Sequence, residues 1–498
     1  MKQFYILIFI LLNGCCEWIY ADNSNKYIPK IDDVTLPSPT SQTYQRFMGY
    51  EPNLATGAIN VTIPLYTLDS GSLSIPLALN YQSNGIKPTD PYIPLGYGWT
   101  LQPGLRITRT IIGNPDDVTL DREIDRHIDD LMSCETCYFD QMTRGLHFDN
   151  MNDIFTICLP TGNVSFILKY SGNYTDMQPW KAITLDSPLR IEVLQNRDIR
   201  FNKIHGFKVV DENGVIYYFG NEKGFVTGVQ PYLEMSEGES PMPTTYLLRK
   251  IYLPGKGDID FEWQPFHLYP FPYSSSYEKI IDYQYCSLAT LPEIDEVVDF
   301  YTSGFTLANS TLKSISSKTC NIQFNYASGN KLENLVVYTN GKRVKLIEME
   351  IEENLLQKIV INEQEIYSFD YDEKRFLYTR CCDDYWGYYN GRNNFRNYPS
   401  FVYHTPYNET KTRIMPGANK EPDSYYMNAN LLRKITYPTG GNTTFEYEPN
   451  RILTFSCGGI QENKHNCLGG GLRVSKIISC SGMGDNQTII KTYKYGNK

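Results

Sequence analysis

The chain has 498 residues, and its 56 acidic and 46 basic side chains give a formal net charge of −10. A general nucleic-acid binder needs clustered Lys and Arg to neutralise phosphates, so this charge balance excludes that class of protein. The 40 Tyr, 23 Phe, 36 Gly and 28 Pro favour an all-β fold, with an antiparallel, hairpin-rich shell or stacked-sheet architecture and more than one structural unit.

Residues 1–21 are typical of an export signal. Lys2 supplies a positive charge, and the apolar run that follows is too short to span a bilayer. Leu12-Asn13-Gly14-Cys15 resembles the bacterial lipobox, in which the cysteine is lipidated after cleavage. The alternative is simple secretion after a cut near Ala21. We therefore predict an exported protein, either extracellular or an outer-membrane lipoprotein that contacts the membrane only through lipid on Cys15.

An insertion is predicted at 116–150, between an N-terminal β unit at 40–115 and a β-hairpin unit at 155–240. Apolar residues at helical spacing predict a short amphipathic helix over 120–132.

Four cysteines are candidates for disulfide bonds, because export permits such bonds. Cys134 and Cys137 have CxxC spacing, which also fits half a zinc site or a redox dithiol. A zinc site needs a second such pair and a redox motif needs a βαβ context, so we predict a disulfide or free thiols and no metal. Cys457 and Cys467 bracket a short polar loop and could form a second bridge.

Residues 245–498 contain an internal repeat. LLRKIYLPGKGDIDFEW (247–263) and LLRKITYPTGGNTTFEY (431–447) align without a gap, and LLQKIVINEQEIYSFDY (355–371) keeps the same spacing. LKSISSKTCNIQFNY (312–326) is one residue shorter, and 472–495 looks like a longer member. Each copy reads as a β-hairpin, with a turn between the Leu-x-x-Ile strand and the Phe-x-aromatic strand. One hairpin is marginal in water, so repeated hairpins imply an extended or closed sheet.

Several segments together resemble the N-terminal part of Rhs or YD-repeat proteins of the Gram-negative envelope type. The resemblance is carried by TGAINVTIPLYTLDSGSLSIPLALNYQSNGIKP (56–88), PLGYGWTLQPGLRITR (94–109), FKVVDENGVIYYFG (207–220), DYWGYYNGRNN (384–394) and the repeats themselves. It implies a β-rich shell, a surface location, and a scaffold or interaction role. The C-terminal effector and the D-P-x-G-x-x-G self-cleavage sequence of such proteins are not found here, so no toxin activity is carried over. We expect a truncated member, or half of a shell completed by a downstream-encoded Rhs-like polypeptide.

No catalytic residue or cofactor is predicted. The six His are scattered without an HExxH pair, and neither a G-x-S-x-G elbow nor a phosphate-binding loop is present. The alternative function is carbohydrate binding at the cell surface. Its best candidate is the 384–391 stretch, where Trp386, Tyr388 and Tyr389 lie among turn residues and could contact a glycan.

Overall fold

The computed structural model describes residues 50–71, 73–88, 94–112, 115–116, 152–170, 180–184, 187–197, 202–224, 230, 232–235, 242–268, 274–276, 299–301, 307–379, 381–394, 399, 401–404, 412–415, 417–455, 464–481 and 488–496. All of them belong to one compact unit, residues 50–498. The export signal with Cys15, the helix predicted over 120–132, and the Cys134–Cys137 pair lie outside the described residues.

The fold is all-β, as predicted. The described residues form the strands β1 Ile59–Asp69, β2 Ser74–Ser83, β3 Trp99–Gln102, β4 Arg106–Thr110, β5 Ile154–Leu159, β6 Gly162–Tyr170, β7 Trp180–Thr184, β8 Arg190–Arg197, β9 Asn202–Val210, β10 Ile216–Gly220, β11 Leu233–Met235, β12 Pro243–Leu253, β13 Gly257–Leu268, β14 Ser274–Ser276, β15 Asp299–Tyr301, β16 Leu307–Ser316, β17 Cys320–Tyr326, β18 Leu332–Thr339, β19 Lys342–Glu352, β20 Leu355–Ile361, β21 Glu365–Tyr371, β22 Phe401–His404, β23 Thr412–Met415, β24 Leu432–Thr436, β25 Asn442–Phe455, β26 Lys464–Cys480 and β27 Thr488–Thr492. The part of the chain that the structure describes contains one 3-10 turn, Tyr426–Asn428, and no helix long and apolar enough to cross a bilayer.

A small antiparallel sheet is formed by β1, β2 and β3. Its strands alternate buried and exposed residues, as the period of a strand with one covered face requires. Ile59, Val61 and Ile63 are buried on that face and join the core cluster shared with the large sheet.

The large sheet is an antiparallel meander of β12, β13, β16–β21 and β24–β27, with β8–β10 and β4–β7 joined to it at β12. The hairpins β14–β15 and β22–β23 are two separate two-stranded sheets. The two ends of β12 have different neighbours. Its first residues lie between β4 and β11, and its last residues lie between β10 and β13. Because β11 also pairs with β16 through Met235 and Ala308, the strands β11, β12, β13 and β16 form a closed ring of pairings.

The predicted repeats are hairpins, and successive hairpins join in one common register. The Phe position of one unit lies directly opposite the Ile position of the next. The five junctions are Phe261 with Ile315, Phe324 with Leu335, Met349 with Ile359, Phe369 with Ile435, and Phe445 with Ile477. Each of these pairs is buried in the core, so the repeat length sets a continuous apolar seam along the sheet.

A β-bulge precedes Trp263, Tyr326, Tyr371 and Tyr447, the last aromatic residues of four units, and redirects their side chains. In five units the last aromatic side chain donates a hydrogen bond to the carbonyl at the Leu position of its own unit. The bonds are Trp263 Nε1 to Leu248 O (2.8 Å), and the hydroxyls of Tyr326 to Leu312 O (2.8 Å), Tyr371 to Leu356 O (2.7 Å), Tyr447 to Leu432 O (2.8 Å) and Tyr495 to Val474 O (2.7 Å). The position therefore needs an aromatic ring with a polar donor, and it is Trp or Tyr in all five units.

A sixth unit, β18–β19, was not apparent from the sequence. Leu335 takes the Ile position, Met349 takes the Phe position, and a bulge again precedes the last residue, Ile351. Met349 and Ile351 replace the two aromatic residues. The sequence of this unit therefore lacks the aromatic residues that identify the other units, although its strands pair in the same register.

Candidate functional site

Residues 381–394 form a turn-rich loop that carries the aromatic residues predicted to contact a ligand. Oδ1 of Asp384 accepts the backbone N–H groups of Trp386 (2.8 Å) and Tyr388 (2.9 Å), and the N–H of Asp384 donates to Tyr388 O (2.7 Å). Gly387 adopts φ = 83°, which other residues adopt only at a cost. The Asp-x-x-Gly sequence therefore closes a tight turn and fixes the direction of its aromatic side chains.

Asn390 ties this loop to residues 419–421. Its side chain is fully buried, and Nδ2 donates to the carbonyls of Asp383 (3.1 Å), Asn419 (3.1 Å) and Glu421 (3.4 Å). An ion pair of 2.8 Å between Lys420 Nζ and Asp383 Oδ1 reinforces the same contact.

The three predicted contact residues have different exposures. Trp386 is 42% exposed and lies edge-on to exposed Tyr385, with ring centroids 6.2 Å apart. Tyr388 is half-buried, and Lys87 Nζ lies 5.0 Å from its ring centroid. Tyr389 is buried, and its ring packs against that of Phe376 with the centroids 4.8 Å apart. It therefore belongs to the small core under the loop rather than to its surface.

Two consecutive glycines of β26 make room for the loop. A Cβ at Gly470 would collide with Trp386, and a Cβ at Gly471 would lie 2.8 Å from Tyr388 Cζ. The Gly-Gly-Gly run at 469–471 is therefore partly explained by the close approach of these two rings.

The second carboxylate oxygen of Asp384, Oδ2, is buried and has no hydrogen-bond partner among the described residues. Burial raises the pKa of this carboxyl, and the neighbouring charge of Asp383 raises it further, against the backbone hydrogen bonds and Lys420, which lower it. A carboxylate is thus held in an unfavourable site in order to close the turn.

A cavity of about 410 Å³ is lined by β11, β13, β16 and residues 94–106. Its wall is mainly apolar and includes Trp263 and Phe266. Buried Glu234 accepts the Ser310 N–H at 3.1 Å, and Arg106 Nη1 lies 3.9 Å from Glu234 Oε2. Because these polar groups satisfy one another, they select no ligand class. The sequence did not indicate this cavity, since its lining residues come from several separate segments between Pro94 and Leu332.

The remaining candidate groups give no assembled reactive centre. Within the described ranges no group of three His, Cys, Asp or Glu side chains could hold a metal ion. His205 is buried, its Nδ1 lies 2.8 Å from the carbonyl oxygen of Asn221, and burial lowers its pKa. Cys467 is exposed on β26, while Cys457 lies outside the described residues, so their bridge stays a prediction.

Comparisons with known proteins find likeness only among solved structures. No protein-family model matches the chain, and no curated protein matches its sequence. TcdB2-TccC3 aligns with 89% of this chain at 11% identity and a TM-score of 0.37. The N-terminal domain of effector protein SpvB from Salmonella typhimurium strain LT2 aligns with 63% at 12% identity and a TM-score of 0.28. The chain spans 22% of TcdB2-TccC3 and 94% of the SpvB domain. Likeness at this level assigns no family to the chain.

Proposed function

We propose that this protein is an exported structural component, whose hairpin units build the wall of an Rhs-like β-shell that encloses or binds another polypeptide. The observation that carries the proposal is the uniform junction between units. Five successive junctions share one register, and four units share both the bulge and the aromatic-to-carbonyl bond. Such regularity is what an extendable wall requires, because each unit must present the same edge to the next.

In this proposal the chain is anchored through lipid on Cys15 and has no catalytic role. The anchor is tested by fractionation and intact mass of the tagged full chain from its own host. We expect an acylated chain that begins at Cys15 in the outer membrane, release of Cys15→Ala to the medium, and retention of the matched control Cys16→Ala. An unprocessed cytoplasmic chain would contradict the proposal. So would turnover of a glycan or peptide library that a single acidic substitution abolishes.

Carbohydrate binding is the second candidate, favoured by the exposed ring of Trp386 on a fixed turn. Aromatic faces stack on sugars, and a rigid turn lowers the entropy cost of binding. Saturable binding of a surface polysaccharide should be lost in Trp386→Ala with the melting temperature retained. The control Tyr425→Ala removes another exposed ring and should leave binding unchanged.

A further inference from the structure

The strand β27 is an edge strand within the part of the chain that the structure describes. Among the described residues β27 pairs only with β26, and Ile490 on it is 60% exposed. Tyr493, just beyond the strand, is half-buried, whereas the Phe residues that occupy the same position in other units are at most 3% exposed. An edge of this kind exposes unpaired backbone groups and apolar side chains, which favours the addition of a strand.

Residues 488–496 are the second strand of a complete unit. Lys476 lies opposite Thr492, as Lys434 lies opposite Thr444 in the unit before. The Tyr493 N–H donates to Ser475 O at 2.9 Å, and the Tyr495 hydroxyl makes the bond characteristic of the last aromatic position. Tyr493 and Tyr495 therefore hold the Phe position and the last aromatic position of this unit.

Three of the five internal junctions also carry an ion pair of fixed polarity. In these three, the residue between the Phe position and the last aromatic position is acidic, and it lies opposite a Lys that precedes the Ile of the next unit. The β17–β18 junction has Asn325 opposite Asn334 instead. The pairs are Glu350 with Lys358 (3.3 Å), Asp370 with Lys434 (3.8 Å) and Glu446 with Lys476 (2.9 Å). Glu262 makes a similar contact with Lys313 at 3.4 Å.

The charge is reversed in the last unit, where the equivalent position is Lys494, which is exposed. We propose that this edge binds an antiparallel strand of a separate polypeptide with the pattern Leu-x-Glu-Ile or Leu-x-Asp-Ile. In the register of the internal junctions, its Ile faces Tyr493, its acid faces Lys494 and its Leu faces Tyr495. The inference rests on the proposed function and specifies the partner of that wall.

The reversed charge disfavours a second copy of this chain as the occupant. The strands that carry Lys358, Lys434 and Lys476 are already paired on both sides, so a second copy would offer its own β27. Residues 488–496 contain two Lys and no acidic residue, so they cannot supply an acid opposite Lys494. Like charges directly opposite one another destabilise a pair of strands.

The test uses the full purified chain and three synthetic hairpin peptides derived from residues 431–447. One has the natural Lys434, one carries Lys434→Glu, and one carries Leu432→Thr together with Ile435→Thr in the Glu background. Binding is measured by fluorescence anisotropy, and contact is located by amide hydrogen exchange over 488–496. We expect the Glu peptide to bind about two- to fivefold more tightly than the Lys peptide, to protect 488–496, and to lose binding when the Leu and Ile are replaced.

Two variants of the protein make the charge assignment specific. Lys494→Glu should invert the preference between the Lys and Glu peptides. Lys342→Glu, the same charge change at an exposed position on β19, should leave it unchanged. Equal affinities for both peptides, or protection elsewhere, would overturn the inference. Concentration-dependent dimerisation that protects 488–496 would also overturn it, because the occupant would then be a second copy. A chain that is exported and anchored but binds no peptide would refute the docking inference alone, whereas a cytoplasmic chain would refute the proposed function.

Discussion

A recurring aromatic donor stabilises five of the six hairpin units. Tyr371 and Tyr447 are half-buried residues whose hydroxyls point inward, and burial raises the pKa of each hydroxyl well above its ordinary value. Both hydroxyls are therefore protonated at neutral pH and donate to a carbonyl. Tyr371 has a second role, because its oxygen also accepts the Trp99 Nε1–H at 2.9 Å and so connects the small sheet to the large one.

Removal of these hydroxyls should give a graded loss of stability. Tyr447→Phe leaves the Leu432 carbonyl without its donor, which costs about 1–3 kcal/mol of unfolding free energy. Tyr371→Phe should cost more, because Trp99 Nε1 also loses its acceptor. Chemical denaturation measures both, and Tyr425→Phe at an exposed position is the control, with an expected change near zero. Equal stability of all three variants would contradict the structural role of the hydroxyls.

Asp384 makes the folding stability of the protein depend on pH, and the sign of this dependence is opposite to that expected for an ion-paired carboxylate. Its pKa in the folded protein is raised above the ordinary value of 3.8, so the folded state holds its proton more tightly than the unfolded state does. The contribution of this group to stability is then greatest below pH 3.8 and falls as the pH rises through the raised folded pKa.

Two substitutions distinguish the hydrogen bonds that close the turn from the negative charge of the Asp384 carboxylate. Asp384→Asn retains an oxygen for the N–H groups of Trp386 and Tyr388 and has no charge, so its stability at neutral pH should equal or exceed that of the wild type. Asp384→Ala loses the acceptor and should be destabilised by about 1–3 kcal/mol. Denaturation curves across pH 3–8 make the comparison. A neutral-pH loss in Asp384→Asn as large as that in Asp384→Ala would show that the carboxylate charge itself is needed.

At the scale of elements, the sequence was informative wherever a pattern was local. The spacing from Ile435 to Phe445 and the turn at 438–441 predicted a hairpin, and β24 and β25 form it. Asp211 and Gly214 likewise mark the turn between β9 and β10. The β18–β19 unit was missed because aliphatic residues replaced its aromatic ones. The ring of β11, β12, β13 and β16, with its cavity, could not be predicted from local patterns. It forms because β12 pairs with β4 and β11 at one end and with β10 and β13 at the other.

The candidate site was predicted in part for the same reason. The Asp-Tyr-Trp-Gly stretch indicated an aromatic turn, and the structure forms one with Trp386 exposed. The depth of each ring depends on tertiary packing, so the sequence could not indicate that Tyr389 is buried or that Gly470 lies beneath Trp386.

The loop and β26 should respond together to a small change in their contact. Gly470→Ala places a methyl group where Trp386 lies, so we expect increased hydrogen exchange over 384–391 and a loss of about 1–3 kcal/mol. Gly469→Ala is the matched control, because its Cβ would make ordinary contacts at 3.5 Å with Asn450 and Ile452. Unchanged exchange in Gly470→Ala would mean that the loop is held by Asn390 and Lys420 alone.

For the whole molecule, one local rule explains how successive hairpin units join. At each of the five internal junctions the Phe position is buried against the Ile position of the next unit, and three of the junctions add an acid opposite a Lys. The rule accounts for a sheet with many units of uneven spacing, since insertions between units leave the register unchanged. The β26–β27 unit differs from this rule, because it alone among the described units has a Lys at the acidic position, Lys494.

The proposal that this protein is an exported wall unit is tested most directly by mass spectrometry. Intact mass and cross-links are measured on the tagged chain, purified from the native envelope with the proteins bound to it. We predict an acylated chain that begins at Cys15 and is cross-linked through Lys494 to a strand of another polypeptide with the Leu-x-acid-Ile pattern. A full-length, unmodified chain recovered from the cytoplasm without a bound polypeptide would contradict the claim that this protein is an exported wall unit.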